Sequence, residues 1–171
     1  MANTYTLISS VTVGSGGVAS IDFTSIPATY TDLLLKVSMR CAGSQQWSKL
    51  EFNGTSYTNN WQMSYIQGSG TSTASGNQAD SYYSIMMPGS GQTASIFGNA
   101  EIYIPNYAGS NNKPISIDHV TENNATDAWA NLTVLLWSNS AAITSIKISE
   151  SSGSSNYAQY STAYLYGISN A

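Results

Sequence analysis

The stretch YTLISSVTVGSGGVASIDF, Tyr5–Phe23, carries the pattern that decides the fold. Tyr5 and Leu7, then Val11 and Val13, recur at every second position, the period at which an extended chain returns to the same face. Gly14-Ser15-Gly16-Gly17 interrupts the alternation with turn-forming residues, and Ile21 and Phe23 resume it. Strand, glycine-rich turn, strand is the expected local order.

The same signature repeats along the chain. Leu35, Val37, Met39 and Cys41 share one face of a third segment, and Leu50 and Phe52 lead into Asn53-Gly54, a dipeptide suited to the positive φ angles of a type I′ hairpin turn. Further strands are expected at Trp61 to Gln67, Tyr82 to Met87, Glu101 to Ile104, Pro114 to Thr121, Leu132 to Trp137, Ile143 to Ser149 and Tyr160 to Ile168. Turn chemistry separates them, as in Pro88-Gly89-Ser90-Gly91 and Ala108-Gly109-Ser110-Asn111-Asn112. The expected architecture is all-β: an antiparallel, jelly-roll-like β-sandwich of about eight to eleven short strands. One domain spans residues 1–171. The low-complexity stretch GSGTSTASGNQA, Gly68 to Ala79, reads as a long surface loop. The one candidate for helix is a single turn near Thr126 to Asn131.

Composition narrows function. Only 8% of the 171 residues are charged, against about 25% in ordinary soluble proteins. Solubility therefore rests on 29 Ser, 16 Thr and 15 Asn. Five basic residues and a net charge of -4 cannot neutralise a phosphate backbone, so no nucleic-acid partner is expected. The apolar runs Leu33-Leu34-Leu35 and Val134-Leu135-Leu136-Trp137 are far shorter than the roughly 20 residues of a membrane span. The first residues have neither a basic start nor an apolar core, so no signal peptide and no membrane partner are expected. Cys41 is the single cysteine, which excludes an internal disulfide and suggests a buried thiol.

Catalytic chemistry is sparsely supplied. A serine triad would have to run through His119, and no Gly-x-Ser-x-Gly elbow is present. In Asp118-His119-Val120-Thr121-Glu122, strand alternation sends Asp118, Val120 and Glu122 one way and His119 and Thr121 the other. His119 is therefore expected to be a hydrogen-bonded structural residue rather than a metal ligand. Glu51, Glu101, Asp118, Glu122 and Glu150 could pair for glycoside hydrolysis, but spacing selects no pair. They read as solvated groups or partners for Lys36, Lys49, Lys113 and Lys147. No enzymatic activity, cofactor or metal is expected. The interface candidates are Tyr5, Leu7, Trp47, Trp61, Tyr107 and Trp129, with Tyr57, Tyr65, Tyr103 and Tyr157 as further aromatic platforms. Trp137, in an apolar run, reads as core. Trp47 and Trp61 flank the Asn53-Gly54 region and read as surface residues.

Four segments carry a resemblance: VTVGSGGVASIDFTSIPATYTDLLL (Val11–Leu35), EIYIPNYAGSNNKP (Glu101–Pro114), VTENNATDAWANLTVLLWSNSAAITSIKIS (Val120–Ser149) and QYSTAYLYGI (Gln159–Ile168). Together they resemble small virion structural proteins of tailed bacteriophages, especially those of aquatic bacteria and cyanobacteria. The likeness is weakest between Ala42 and Ala94 and transfers no site residues. It implies a capsid decoration, or cement, protein on the outer surface of the head, bound to the major capsid protein as a homotrimer. The same resemblance leaves open a tail or fibre component whose sandwich binds host glycans through aromatic and amide side chains. Ala2 to Val13 would be the first strand of the sandwich, or could add to a neighbour's sheet edge.

Overall fold

The computed structural model describes residues 4–44, 46–55, 60–79, 83–123 and 128–169. Twelve strands and no helix are found among them: β1 (Tyr5–Thr12), β2 (Ser20–Phe23), β3 (Asp32–Met39), β4 (Gln46–Phe52), β5 (Trp61–Ser69), β6 (Ser72–Ala79), β7 (Tyr83–Met87), β8 (Gly98–Ile104), β9 (Lys113–Glu122), β10 (Ala128–Trp137), β11 (Ile146–Glu150) and β12 (Thr162–Ile168). They form an eight-stranded sheet, β1-β12-β3-β8-β9-β10-β5-β6, and a four-stranded sheet, β2-β11-β4-β7. All pairings are antiparallel.

Eight of these strands trace a jelly roll. The blocks β1-β12-β3-β8 and β2-β11-β4-β7 exchange the chain at almost every step, the path of two interlocked Greek keys. Two further antiparallel pairs, β5–β6 and β9–β10, are inserted into that path and widen the first sheet beyond β8. β1 is an edge strand of its own sandwich, in register with β12 from Tyr5↔Ile168 to Thr12↔Thr162 around a bulge.

Alternation places the core. Along β9, residues alternate buried and exposed from Lys113 to Glu122. Leu33, Leu35, Val37 and Met39 of β3 are buried with Ile21, Phe23, Leu50, Phe52, Ile146 and Ile148 of the facing sheet. Phe52, Trp61 and Trp137 form an aromatic group, with Phe52 5.3 Å from each indole and the two indoles 6.4 Å apart. Burying such side chains stabilises by roughly 1.5–3 kcal/mol each. Cys41 is buried, and loss of solvation pushes its thiol up to about 12.

Three local expectations change. Ser72–Ala79 is strand β6, paired with β5 from Ser69↔Ser72 to Gln62↔Ala79 around Gly70, whose φ is 53°. The stretch Gly68 to Ala79 is therefore a hairpin rather than a loop. Its side chains are small and polar because β6 is a solvated edge, so no apolar alternation marks it. Asn53 and Gly54 do take positive φ, 53° and 65°, and the Thr55 N–H donates to Phe52 O at 3.0 Å as a type I′ turn requires. Yet β4 and β5 lie in different sheets, so this turn closes no hairpin. Asn53 instead clips a distant loop, accepting from the Thr144 and Ser145 N–H groups at 2.8 and 3.1 Å and donating to Ala142 O at 2.8 Å. The single helical turn is also overturned where it can be seen: Ala128 to Asn131 belong to β10, and residues 126–127 lie outside the described residues.

Candidate functional site

The six interface candidates separate into three groups. Trp61 and Tyr107 are fully buried, which corrects both. Trp61 sits in the aromatic group of the core because β5 starts over Phe52. Tyr107 ties two loops together: its hydroxyl donates to Pro27 O and accepts from the Tyr30 N–H at 3.4 Å. Tyr157 is likewise buried, bonded through its hydroxyl to Ser48 at 3.0 Å, and Tyr57 lies outside the described residues.

Tyr5 and Leu7 are exposed on the outer face of the eight-stranded sheet. Cross-strand register organises that face into rows. One runs Ser10, Tyr164, Lys36, Glu101, Asp118, Leu132, Ile66, Ser75 across all eight strands. The neighbouring row runs Leu7, Tyr166, Leu34, Tyr103, Ser116, Val134, Ser64. Charge is confined to the middle, where Lys36 and Glu101 pair at 2.9 Å. On the β1 side lie Tyr5 and Leu7, and on the β10 and β5 side Ile66, Leu132 and Val134, while Tyr103 shares β8 with Glu101; all are exposed. A shallow groove of about 700 Å³ passes over Ile66, Ala130 and Leu132 between β10 and β6.

Trp47 and Trp129 come together on the opposite side of the same sheet. Toward the Trp137 end, β5 and β10 present Trp61, Met63, Leu135 and Trp137 to the core. Toward the other end the inward residues become Tyr65 and Gln67 on β5 and Thr133, Asn131 and Trp129 on β10, which line a cleft of about 240 Å³ with Trp47 and Gln78. Trp47, Tyr65 and Trp129 are half-buried there. Trp47 meets the His119 ring edge-on at 5.8 Å. His119 is buried, as the strand alternation implies, and its Nε2 lies 3.1 Å from Asn131 Nδ2 and 3.5 Å from the Met86 N–H. A backbone N–H can only donate, so Nε2 acts as acceptor for both. Gly76 faces Tyr65 across the β5–β6 ladder, and a Cβ there would fall 2.9–3.0 Å from the phenol ring. The missing side chain lets Tyr65 lie against the strand and border the cleft.

The acidic candidates do not converge on this cleft. Glu101 and Asp118 are cross-strand neighbours on the open outer face. Glu150 is neither solvated nor paired with a lysine. Its carboxylate accepts from the Ser152 N–H at 2.7 Å, the Ser152 hydroxyl at 2.8 Å and the Ser154 N–H at 3.1 Å. Lys113 also departs from an ion-pair role: it is buried and donates to the carbonyls of Gly109, at 2.8 Å, and Asn111, and burial lowers its pKa. No group of three or more His, Cys, Asp or Glu side chains able to hold a metal occurs among the described residues.

Gln67 and Gln78 were outside the candidates, and only knowledge of the β5–β6 pairing could have selected them. Comparison with protein-family models, curated proteins and solved structures gives no significant match.

Proposed function

We propose that the chain is a non-enzymatic structural protein of a tailed-phage particle, a decoration protein that docks on the outside of the head and holds adjacent major capsid subunits together. The observation that carries this reading is the outer face of the eight-stranded sheet, where exposed Tyr5 and Leu7 on one side and Ile66, Leu132 and Val134 on the other flank a charged centre. Ile66, Leu132 and Val134 are contiguous there, and an exposed apolar cluster of this kind supports a contact surface. The sequence resemblance supplies the setting, and the face supplies the means. A homotrimer would present three such faces at once, so modest contacts to several capsid subunits would combine into firm attachment.

The test uses heads assembled without the protein, to which purified protein is added and co-sedimentation measured. Wild-type protein should bind, raise resistance to heat, and lose little affinity between low and moderate salt, because few charges take part. Replacing Ile66 and Leu132 by serine removes apolar area but no core, and should weaken binding by about tenfold or more, equivalent to about 1.4 kcal/mol. Absence of wild-type binding, or a defect in host adsorption with heads of normal strength when the protein is deleted, would overturn the reading.

A further inference from the structure

We propose that the cleft between Trp47 and Trp129 is a binding site for a neutral saccharide, taking one pyranose ring. This goes beyond the docking role and does not depend on it. The cleft is on the inner side of the widened sheet, so it stays open when the outer face is covered.

Three properties of the lining select the ligand. The half-buried rings of Trp47, Tyr65 and Trp129 give a ring-shaped apolar ligand surfaces to stack on, which suits the C–H faces of a sugar. The amides of Gln67, Gln78 and Asn131 pair a donor with an acceptor, the complement of adjacent hydroxyl groups. Asn131 is already held through its amide nitrogen by His119, which orients the side chain before any ligand arrives and leaves its carbonyl oxygen as the acceptor on offer. Among the described residues no charged side chain lines the cleft, so an anionic sugar or a charged peptide would lose solvation without gaining a counter-charge from them. A purely apolar ligand would strand the amides, which costs free energy when polar groups are buried unpaired. At about 240 Å³ the space is below the roughly 300–1,000 Å³ of drug-sized sites and suits a single ring.

The experiment titrates the full chain with glucose, galactose, mannose and N-acetylglucosamine, with sialic acid as the anionic comparison, and follows the four indole N–H signals by NMR. At least one neutral sugar should shift the Trp47 and Trp129 signals saturably, with a dissociation constant of about 1 mM. The buried Trp61 and Trp137 signals should stay in place. Trp129→Ala should abolish the response. Gln78→Ala, on the solvated edge strand, leaves the fold intact and should weaken binding about tenfold, so the proposal stays testable even where the tryptophan variant fails to fold. Silence across the neutral panel overturns the proposal, as does a response to sialic acid alone, movement of Trp61 or Trp137, or unchanged affinity in Gln78→Ala.

Discussion

Trp137 and Arg40 hold two different kinds of structure. Trp137 is fully buried against Phe52 and Trp61, and what it contributes is volume. Arg40, half-buried just past β3, donates to the carbonyls of Gly89 at 2.6 Å, Thr93 at 2.9 Å, and Ile96 and Gln92 at 3.2 Å. It gathers the loop between β7 and β8, whose residues from Gly89 to Ser95 include no large apolar side chain. Lys113 and Glu150 act similarly on their own Ser- and Asn-rich loops. In a chain with so few charges, several of them serve as internal anchors for backbone that has no core to rest on. The interior is held by packing, and the loops by single ions that replace water for several peptide groups at once.

The largest effect should come from the interior. Trp137→Ala removes a packed indole and leaves a cavity, and is expected to lower stability by about 3–5 kcal/mol. Denaturant unfolding should show the loss as one cooperative transition affecting all strands. Arg40→Met keeps much of the side-chain length but removes the charge-assisted hydrogen bonds, and should cost about 2–3 kcal/mol. Here the loss should be local first. Hydrogen exchange should accelerate in residues 88–97 well before the strands respond. If the two variants gave the same exchange pattern, the division between packed interior and ion-held loops would fail.

The two regions were also unequally legible in the sequence. Eleven of the strands overlap segments that apolar residues and turn chemistry mark in the sequence, most plainly β8 and β9, whose buried and exposed positions alternate residue by residue, whereas β3 opens on a continuous buried run. β6 was not legible, because a solvated edge strand of Ser, Thr, Ala, Gly, Asn and Gln has no apolar face to display. That omission hid the cleft, since Gln78 and Gly76 lie on β6. Trp61 illustrates the converse. Polar neighbours suggested a surface, but burial was decided by Phe52 and Trp137, which are close only in space. The anchoring roles of Arg40 and Glu150 were equally hidden, because their partners are backbone groups and carry no sequence signature.

Glu150 gives the smallest and most diagnostic effect. Burial by itself would raise its pKa, but donation from the Ser152 N–H and hydroxyl, the Ser151 hydroxyl and the Ser154 N–H outweighs it and leaves the carboxyl below its usual range. A depressed pKa means that the folded state favours the ionised form. The associated stability is therefore fully present above the unfolded value of about 4.3 and disappears as pH falls through the lower folded value. Glu150→Gln swaps one acceptor oxygen for a donor that faces N–H groups, and should cost about 1–2 kcal/mol at neutral pH. The gap between wild type and variant should stay constant from neutral pH to about 5 and close below about 4.3. Because the Ser151 N–H joins this loop to Trp47 O at 2.9 Å, exchange at Ser151 should rise in the variant while the Trp137 indole signal stays where it is. A gap that does not change with pH would mean that shape rather than charge holds the loop, and the contrast with the packed interior would lose its electrostatic half.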